Sequence, residues 1–331
     1  MIYQKAEKCR LPGPINCLNW KYWVYVQSII EVYTMIKLSK DHRGVFLIFI
    51  SSICFAFVPN AAKIAMEEGS SLFFLIFSRY AIGTLLLLPV LVVSKTTFYV
   101  PARLLLRVVF SGSLALCLIA ATYHAVNFLD VGLVLLILYS FPLGVALISH
   151  ITRKDRITQN RLICMAMVML GLVIMIFDGQ AKVNFHGLLV SFFGLICFVF
   201  FILQSNALAE VIGSSTLNFY LSVCGLIFLL ILLLVSSSSI SLEVPTSEKG
   251  LIAILSNGIF YIISWVLFFE GSRIIGATRA SLMACVEPLF AALLAMFFLS
   301  QILSLVEWVG FFIVLVSVFV FERLSIKQAQ H

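Results

Sequence analysis

The chain is a succession of apolar segments of about 20 residues each, separated by short polar stretches. At 1.5 Å per residue, each segment is long enough as a helix to cross a hydrocarbon core of about 30 Å. Hydrophobic residues make up 62% of the 331 residues and charged residues 11%, a balance that excludes a soluble globular domain. We therefore predict an all-α integral membrane protein with ten transmembrane helices. The predicted spans are 44–65, 71–94, 104–125, 130–150, 158–178, 186–209, 215–236, 250–272, 277–299 and 303–322.

Basic residues are distributed unevenly between the two sides that ten crossings create. Of the 22 Lys and Arg residues, 18 fall in the terminal segments and in the loops on that same side, whereas the loops on the other side hold Lys63, Lys182 and Lys249. Cytoplasmic segments of membrane proteins carry this excess of positive charge. We therefore expect both termini in the cytoplasm, and the net charge of +7 requires no nucleic-acid partner.

The first 43 residues differ from the rest of the chain. Seven Lys and Arg residues are scattered through 1–43, and charged side chains interrupt the apolar run over 20–36. Such a run lies along a membrane interface more readily than across the membrane. We predict a basic, amphipathic extension over 1–43, of which 1–34 is dispensable, and a cytoplasmic tail over 323–331.

The spans form an internal repeat that becomes visible when residue numbers are shifted by 146. Pro142 then falls on Pro288, and a slightly smaller shift of 143 places Gly44 on Gly187. Because each unit has five spans, an odd number, the second copy is inverted across the membrane. Inverted repeats with paired prolines in corresponding helices are typical of a transporter with a site near the membrane midplane. The predicted repeats are residues 44–178 and 186–322.

The ninth span carries a carboxylate and a proline in its middle, at Glu287 and Pro288. Glu287 lies on a helical stripe of small residues, which leaves room for a groove or for a close neighbouring backbone. Pro288 has no N–H for the carbonyl of Ala284, so we expect a kink beside the acid and treat Pro288 and Pro142 as hinge candidates. These features favour a solute site, and the alternative is an ion pair between Glu287 and a cation on another helix.

Arg79 is the ninth residue of its predicted span, which is too deep for free snorkelling, so its guanidinium needs a partner. Glu287 is the natural candidate within the spans, and a solute carboxylate that competes for the guanidinium would provide a mechanism. A fixed bond from Arg79 to Glu287 or to a backbone carbonyl is the alternative. Because apolar surroundings favour the neutral form of a carboxyl group, Glu287 could also carry a proton.

Other polar or amphipathic side chains at span depth are weaker candidates for a solute pocket. Tyr and Trp are also the ordinary residues of membrane interfaces, and a buried amide can simply tie helices together. His124 and Glu270 occupy equivalent repeat positions near helix ends and could titrate in a gating cycle, or could simply be hydrated. The pocket candidates are Asn60, Tyr123, Tyr139, Gln204, Asn206, Asn257 and Trp265.

Several stretches are similar to one transporter group: Phe77–Pro89, Asp155–Ile174, Glu270–Gln301 and Leu305–Phe321. Through them the chain resembles the drug/metabolite transporter superfamily, specifically the group built from two EamA-type repeats. Such families usually carry a Leu-Gly-Glu-like turn after the Glu-Pro helix. Here that turn reads Leu299, Ser300, Gln301, whereas the first repeat has an acid, Asp155, at the equivalent place.

Together these features predict a secondary transporter that moves a small organic metabolite by alternating access. We prefer an amino acid or a similar compact solute, because few basic residues line the spans; a nucleotide-sugar exchanger and a non-transporting receptor or scaffold remain alternatives. We expect no enzyme activity, no cofactor and no metal, because the histidines form no His/Glu metal motif. The expected partners are the solute, lipid and protons, and the expected setting is a bacterial inner membrane, as a monomer or homodimer.

Overall fold

The computed structural model describes residues 40–93, 100–129, 131–152, 155, 157–176, 184–235, 242–299 and 304–329. Except for 40–43, the predicted N-terminal extension lies outside the described residues. The described residues form twelve α-helices, a 3-10 turn at Ala284–Val286 and no β-strand. The helices are α1 (Lys40–Glu67), α2 (Leu72–Val93), α3 (Ala102–Ala125), α4 (Val131–Tyr139), α5 (Phe141–Ile151), α6 (Gln159–Ile176), α7 (Phe185–Ile212), α8 (Ser214–Val235), α9 (Glu248–Ile275), α10 (Ala277–Met283), α11 (Glu287–Leu299) and α12 (Leu305–Ala329).

These helices make ten membrane crossings in the described part of the chain. Nine segments are long and apolar enough to span a bilayer, and α6 is a shorter apolar helix in the position of the fifth span. The fourth span is made of α4 and α5, and the ninth is made of α10, the 3-10 turn and α11. The predicted all-α membrane fold is therefore confirmed. Helix α12 runs on to Ala329, through most of the predicted tail.

The two repeats make reciprocal contacts. Gly44 of α1 packs directly against Ile274–Ile275 at the end of α9. Gly187 of α7 packs in the same way against Phe128–Leu129, which follow α3, and these two residues fall on Ile274–Ile275 when shifted by 146. The first span of each repeat therefore meets the third span of the other, as two inverted five-helix repeats require.

The last spans of the two repeats, α6 and α12, cross at a pair of glycines. A Cβ atom on Gly310 would lie 2.6 Å from the carbonyl oxygen of Gly171 and 2.7 Å from the amide nitrogen of Met175. Small residues allow backbones to approach this closely, and in lipid such packing is a main source of helix association. The α6–α12 contact is therefore a structural seam between the repeats.

Two connections between helices consist of a single glycine. Gly213 joins α7 to α8, and Gly276 joins α9 to α10. Their φ angles are 82° and 85°, in a region that residues with a Cβ atom rarely adopt. Glycine at these two positions therefore allows consecutive spans to reverse direction without a loop.

The core lies between the repeats, and the outer surface is apolar. One hydrophobic cluster includes Phe141 and Met165 of the first repeat together with Phe268 and Phe321 of the second. Outward-facing leucines, valines, isoleucines and phenylalanines remain exposed on most helices, with Leu305 at 85%. Contiguous apolar surface of this kind marks a membrane-facing exterior.

Candidate functional site

The fourth and ninth spans are interrupted at corresponding positions. Helix α4 ends at Tyr139, and α5 starts at Phe141 with Pro142 in its first turn. In the ninth span the 3-10 turn leads into α11, which starts at Glu287 and Pro288. Proline fits the first turn of a helix, where its missing N–H costs nothing. The ninth span therefore tightens into a 3-10 turn beside Glu287, and the fourth span is interrupted at the equivalent place before Pro142. The hinge role of the two prolines stays a prediction.

A hydrogen bond connects the two interrupted spans. The hydroxyl of Tyr139 donates to Oε1 of Glu287 across 3.2 Å. Both side chains are half-buried, and among the described residues no cation pairs with the Glu287 carboxylate. A carboxylate at this depth with a single hydroxyl donor has unused acceptor capacity, which a solute or a proton can satisfy. We call Tyr139 and Glu287 the break pair.

Arg79 is bound by α9, so the expected ion pair with Glu287 does not form. Its Nε donates to Oδ1 of Asn257 across 3.0 Å, and its guanidinium lies 4.7 Å from the centre of the Tyr261 ring. Asn257 is fully buried and donates in turn to the carbonyl of Val58 across 2.7 Å. Asn257 and Tyr261 lie one turn apart on α9, which packs against α2. The guanidinium therefore contacts an amide and the face of an aromatic ring on the same helix. Within the described chain the terminal nitrogens of Arg79 donate to no protein group.

Asn60 fixes the half-helix that carries Glu287. Its Nδ2 donates to the carbonyl of Ala56 across 2.9 Å and to that of Ala291, one turn beyond Glu287, across 3.1 Å. The side chain is 6% exposed. An amide that joins α1 to α11 in this way holds the acid in place, and this helix-tying geometry is one of the two roles expected for Asn60.

Trp265 lies in an aromatic cluster between the repeats. Its ring contacts Phe55 at 4.9 Å, Phe201 at 5.2 Å and Phe269 at 5.3 Å between centroids. Its buried indole N–H has no hydrogen-bond acceptor among the described residues. The ring of Tyr261 lies 6.4 Å from that of Trp265 between centroids. Trp265 and Tyr139 both pack against the main core cluster.

Two other predicted pocket residues are not in contact with the break pair. Oε1 of Gln204 accepts a long hydrogen bond of 3.4 Å from Nη2 of Arg107 on α3. Tyr123 is 38% exposed near the end of α3, a position typical of interface tyrosines. Their place in a solute pocket therefore stays a prediction.

Two buried arginines form ion pairs at the end of the bundle where α10 begins. Arg279 is 6% exposed and binds Glu322 of α12 through two nitrogens, and its Nη1 lies 3.0 Å from Asp41 of α1. Arg161 is 4% exposed and forms two hydrogen bonds with Asp155, of 3.1 and 3.2 Å. The sequence marked both arginines only as basic residues near predicted loops. The contact of Arg279 with α1 was missed because Asp41 lies 238 residues from Arg279 along the chain.

In the described part of the chain, no group of three or more His, Cys, Asp or Glu side chains is arranged to hold a metal ion. The expectation of no cofactor and no metal therefore stays a prediction.

The fold matches a solved structure of low sequence similarity. One protein crystal structure superposes with a TM-score of 0.70, covering 86% of this chain and 98% of that one at 11% identity. At that identity the match concerns the fold alone.

Two sequence comparisons give the family. The chain is 32% identical over 68 residues to the uncharacterized inner membrane transporter YicL of Salmonella typhimurium (strain LT2), a match that covers 20% of this chain and 23% of that relative. The model of the EamA-like transporter family matches residues 42–177 and 185–323, each of which spans one five-helix repeat. The chain is therefore a membrane protein that belongs to the EamA-like transporter family.

Proposed function

We propose that this protein is a secondary carrier that moves a small organic metabolite across a bacterial inner membrane by alternating access, with both termini in the cytoplasm. The observation that carries the proposal is the break pair. The hydroxyl of Tyr139 in the first repeat and the carboxylate of Glu287 in the second meet where the fourth and ninth spans are interrupted. Any rocking of one repeat against the other acts directly on this bond.

The break pair and Arg79 suggest the chemistry of the solute. Glu287 offers a carboxylate with one hydroxyl partner, and Arg79 offers terminal N–H groups that no described residue uses. A compact zwitterion such as an amino acid carries one group for each, an ammonium that suits the acid and a carboxylate that suits the guanidinium. A nucleotide sugar requires several cations for its phosphates, whereas the groups that carry this proposal supply one cation, the guanidinium of Arg79.

The prolines and the contacts of Arg279 are the features that would change as the carrier opens and closes. Pro142 and Pro288 begin the second halves of the interrupted spans, and a proline has no N–H to donate to the preceding turn. Arg279 ties α10 to α1 and α12 at one end of the ninth span. We infer that bending at the prolines, together with loss and recovery of the Arg279 contacts, opens and closes that end. A monomer contains both repeats and therefore the whole site.

Transport by the purified protein in liposomes tests this proposal. A thermal-shift screen against metabolites first selects ligands, because a compound that binds the folded state raises its melting temperature. Saturable uptake of a selected amino acid, with competition by unlabelled solute, is the expected result. Exchange of a nucleotide sugar would contradict the proposed substrate class. An ohmic current would indicate a channel. Folded protein that shows no flux of any solute would indicate a receptor or scaffold.

Glu287→Gln tests proton coupling, because glutamine keeps the shape of the protonated acid without the ability to release a proton. We expect the variant to lose pH-gradient-driven accumulation while it retains counterflow exchange of the solute. Accumulation with an unchanged pH dependence in a correctly inserted variant would remove the coupling role of Glu287.

A further inference from the structure

We propose that His124 and His186 form a binding site for a transition-metal ion of the zinc type, at the end of the bundle where α3 ends and α7 begins. The two Nε2 atoms are 3.4 Å apart, and both side chains are exposed. His124 belongs to the first repeat and His186 to the second. A bound ion would therefore bridge the repeats, at the end of the protein that the charge pattern assigns to the external side.

Local structure positions both imidazoles. His186 is the second residue of α7, and its backbone N–H donates across 2.9 Å to Oδ1 of Asn184, which caps the helix. Gly187 packs against Phe128–Leu129 and brings the start of α7 onto the end of α3. The ring of Phe128 contacts both imidazoles edge-on, at centroid distances of 5.2 Å to His124 and 4.8 Å to His186. The pair is thus held by a helix cap, a close backbone approach and a shared aromatic neighbour.

The distance between the nitrogens matches the spacing of metal ligands. Two imidazole nitrogens at about 2.0–2.1 Å from a tetrahedral Zn²⁺ stand about 3.3–3.4 Å apart. A direct N–H···N hydrogen bond has its optimum near about 3.0 Å, so the observed 3.4 Å is long for such a bond. An ion bound by both Nε2 atoms would lie to one side of the line between them, where the two lone pairs can converge, and water would fill the remaining positions.

The ligand type selects the class of metal. Imidazole nitrogen suits Zn²⁺, Ni²⁺ and Cu²⁺, whereas Mg²⁺ and Ca²⁺ require oxygen ligands. With two protein ligands in the described part of the chain and an open coordination sphere, the ion exchanges with solution and is not a resident cofactor. This inference concerns binding alone, and it stands or falls independently of the proposed transport.

Metal binding to the full-length protein in a neutral detergent, with any affinity tag removed, tests the site. Equilibrium dialysis at pH 7.5 against Zn²⁺, Ni²⁺ and Mg²⁺, followed by elemental analysis, should give one Zn²⁺ or Ni²⁺ per chain and no Mg²⁺. His124→Ala and His186→Ala should each weaken Zn²⁺ binding by about tenfold or more, because each removes one of two protein ligands. His150→Ala is the matched control, since this exposed histidine accepts from the backbone of Ile157 at the other end of the bundle.

Melting temperatures without metal establish that each variant is folded. Equal loss of binding in the His124 and His186 variants, with full binding in the His150 variant, supports the site. Unchanged Zn²⁺ binding in either of the first two variants, or no bound Zn²⁺ in the parent protein, would overturn the proposal and leave the pair as a hydrogen bond only.

Discussion

Tyr139 and Glu287 are 148 residues apart in the chain, yet the hydroxyl of one donates to the carboxylate of the other across 3.2 Å. Each residue stands at the interruption of its span, Tyr139 on the last turn before the first break and Glu287 immediately after the second. The bond therefore joins the two repeats at the depth where their helices are least regular. A contact in this position stabilises one relative orientation of the repeats.

Tyr139→Phe should slow transport by about ten- to a hundredfold, because a hydrogen bond to a charged group contributes about 1.5–3 kcal/mol and the ring itself is retained. The change removes the donor and little volume, so the melting temperature should shift less than the transport rate. Initial uptake rates in liposomes, normalised to inserted protein, measure the effect.

Thr122→Val is the control for that variant, because it also removes a hydroxyl group, here from α3, a helix without a break. Thr122 is half-buried, and its hydroxyl donates within its own helix, to the carbonyl of Leu118 across 2.8 Å. This variant should transport at the parental rate. Equal rates for Tyr139→Phe and the parent protein would show that the bond to Glu287 has no part in the cycle.

Asn257→Ala should lower stability by about 1–2 kcal/mol. The substitution removes the acceptor of Arg79 Nε and the donor to the carbonyl of Val58, so contacts among α1, α2 and α9 are lost together. Asn218→Ala provides a comparison, because among the described residues buried Asn218 donates within its own helix, to the carbonyl of Ser214. Melting temperatures in detergent should fall clearly more for Asn257→Ala, and an equal fall would contradict the linking role of Asn257.

Gly310→Ala should destabilise the protein by about 1–3 kcal/mol, the usual cost of overpacking. The added methyl group would lie 2.6 Å from the carbonyl oxygen of Gly171, and two helix backbones cannot separate locally to accommodate it. Gly112→Ala is a suitable control, because its new Cβ would meet Cys224 at 3.4 Å, an ordinary contact. Similar melting temperatures for the two variants would indicate that the α6–α12 seam is looser than described.

Glu68 should contribute stability that depends on pH. The side chain lies in the α1–α2 connection, and the hydrogen bond from Ser247, then the ammonium group of Lys249, hold the pKa of its carboxyl below the ordinary value. A carboxyl with a lowered pKa stabilises the folded state fully above its unfolded pKa and loses that effect as the pH falls through its folded pKa. Glu68→Gln should therefore melt lower than the parent protein at pH 7, and the difference should shrink as the pH falls below about 4.

Glu67→Gln removes the neighbouring carboxylate, whose partner is a solvent-exposed Lys63 at 3.9 Å. Its melting temperature should follow that of the parent protein across the same pH range, since exposed pairs contribute little. A pH-independent difference for Glu68→Gln would remove the electrostatic explanation.

The spans and their interruptions could be predicted because local chemistry determines them. Segment length and apolarity indicate a crossing helix, and Pro142 and Pro288 mark the places where a helix has to restart. The shift of 146 that aligns these prolines also aligns Phe128–Leu129 with Ile274–Ile275, the residues against which Gly187 and Gly44 pack. Fold and topology thus followed from patterns that recur along the chain.

The partners of charged side chains could not be predicted in the same way. Arg79 was expected to pair with Glu287 because opposite charge was the criterion, whereas the folded chain supplies the amide of Asn257 and the ring of Tyr261. His124 and His186 lie 62 residues apart, and no spacing rule connects them. Pairings of this kind depend on which faces of distant helices pack together. A single sequence does not reveal that packing, because no periodic pattern of residues along the chain reports it.

Each half of the polypeptide carries both elements of the reciprocal contact, a glycine in its first span and the pair of residues at the end of its third span that receives the other half's glycine. A substitution of either glycine by a larger residue should therefore weaken the association of the two halves from one side only, because the second contact is made by different residues.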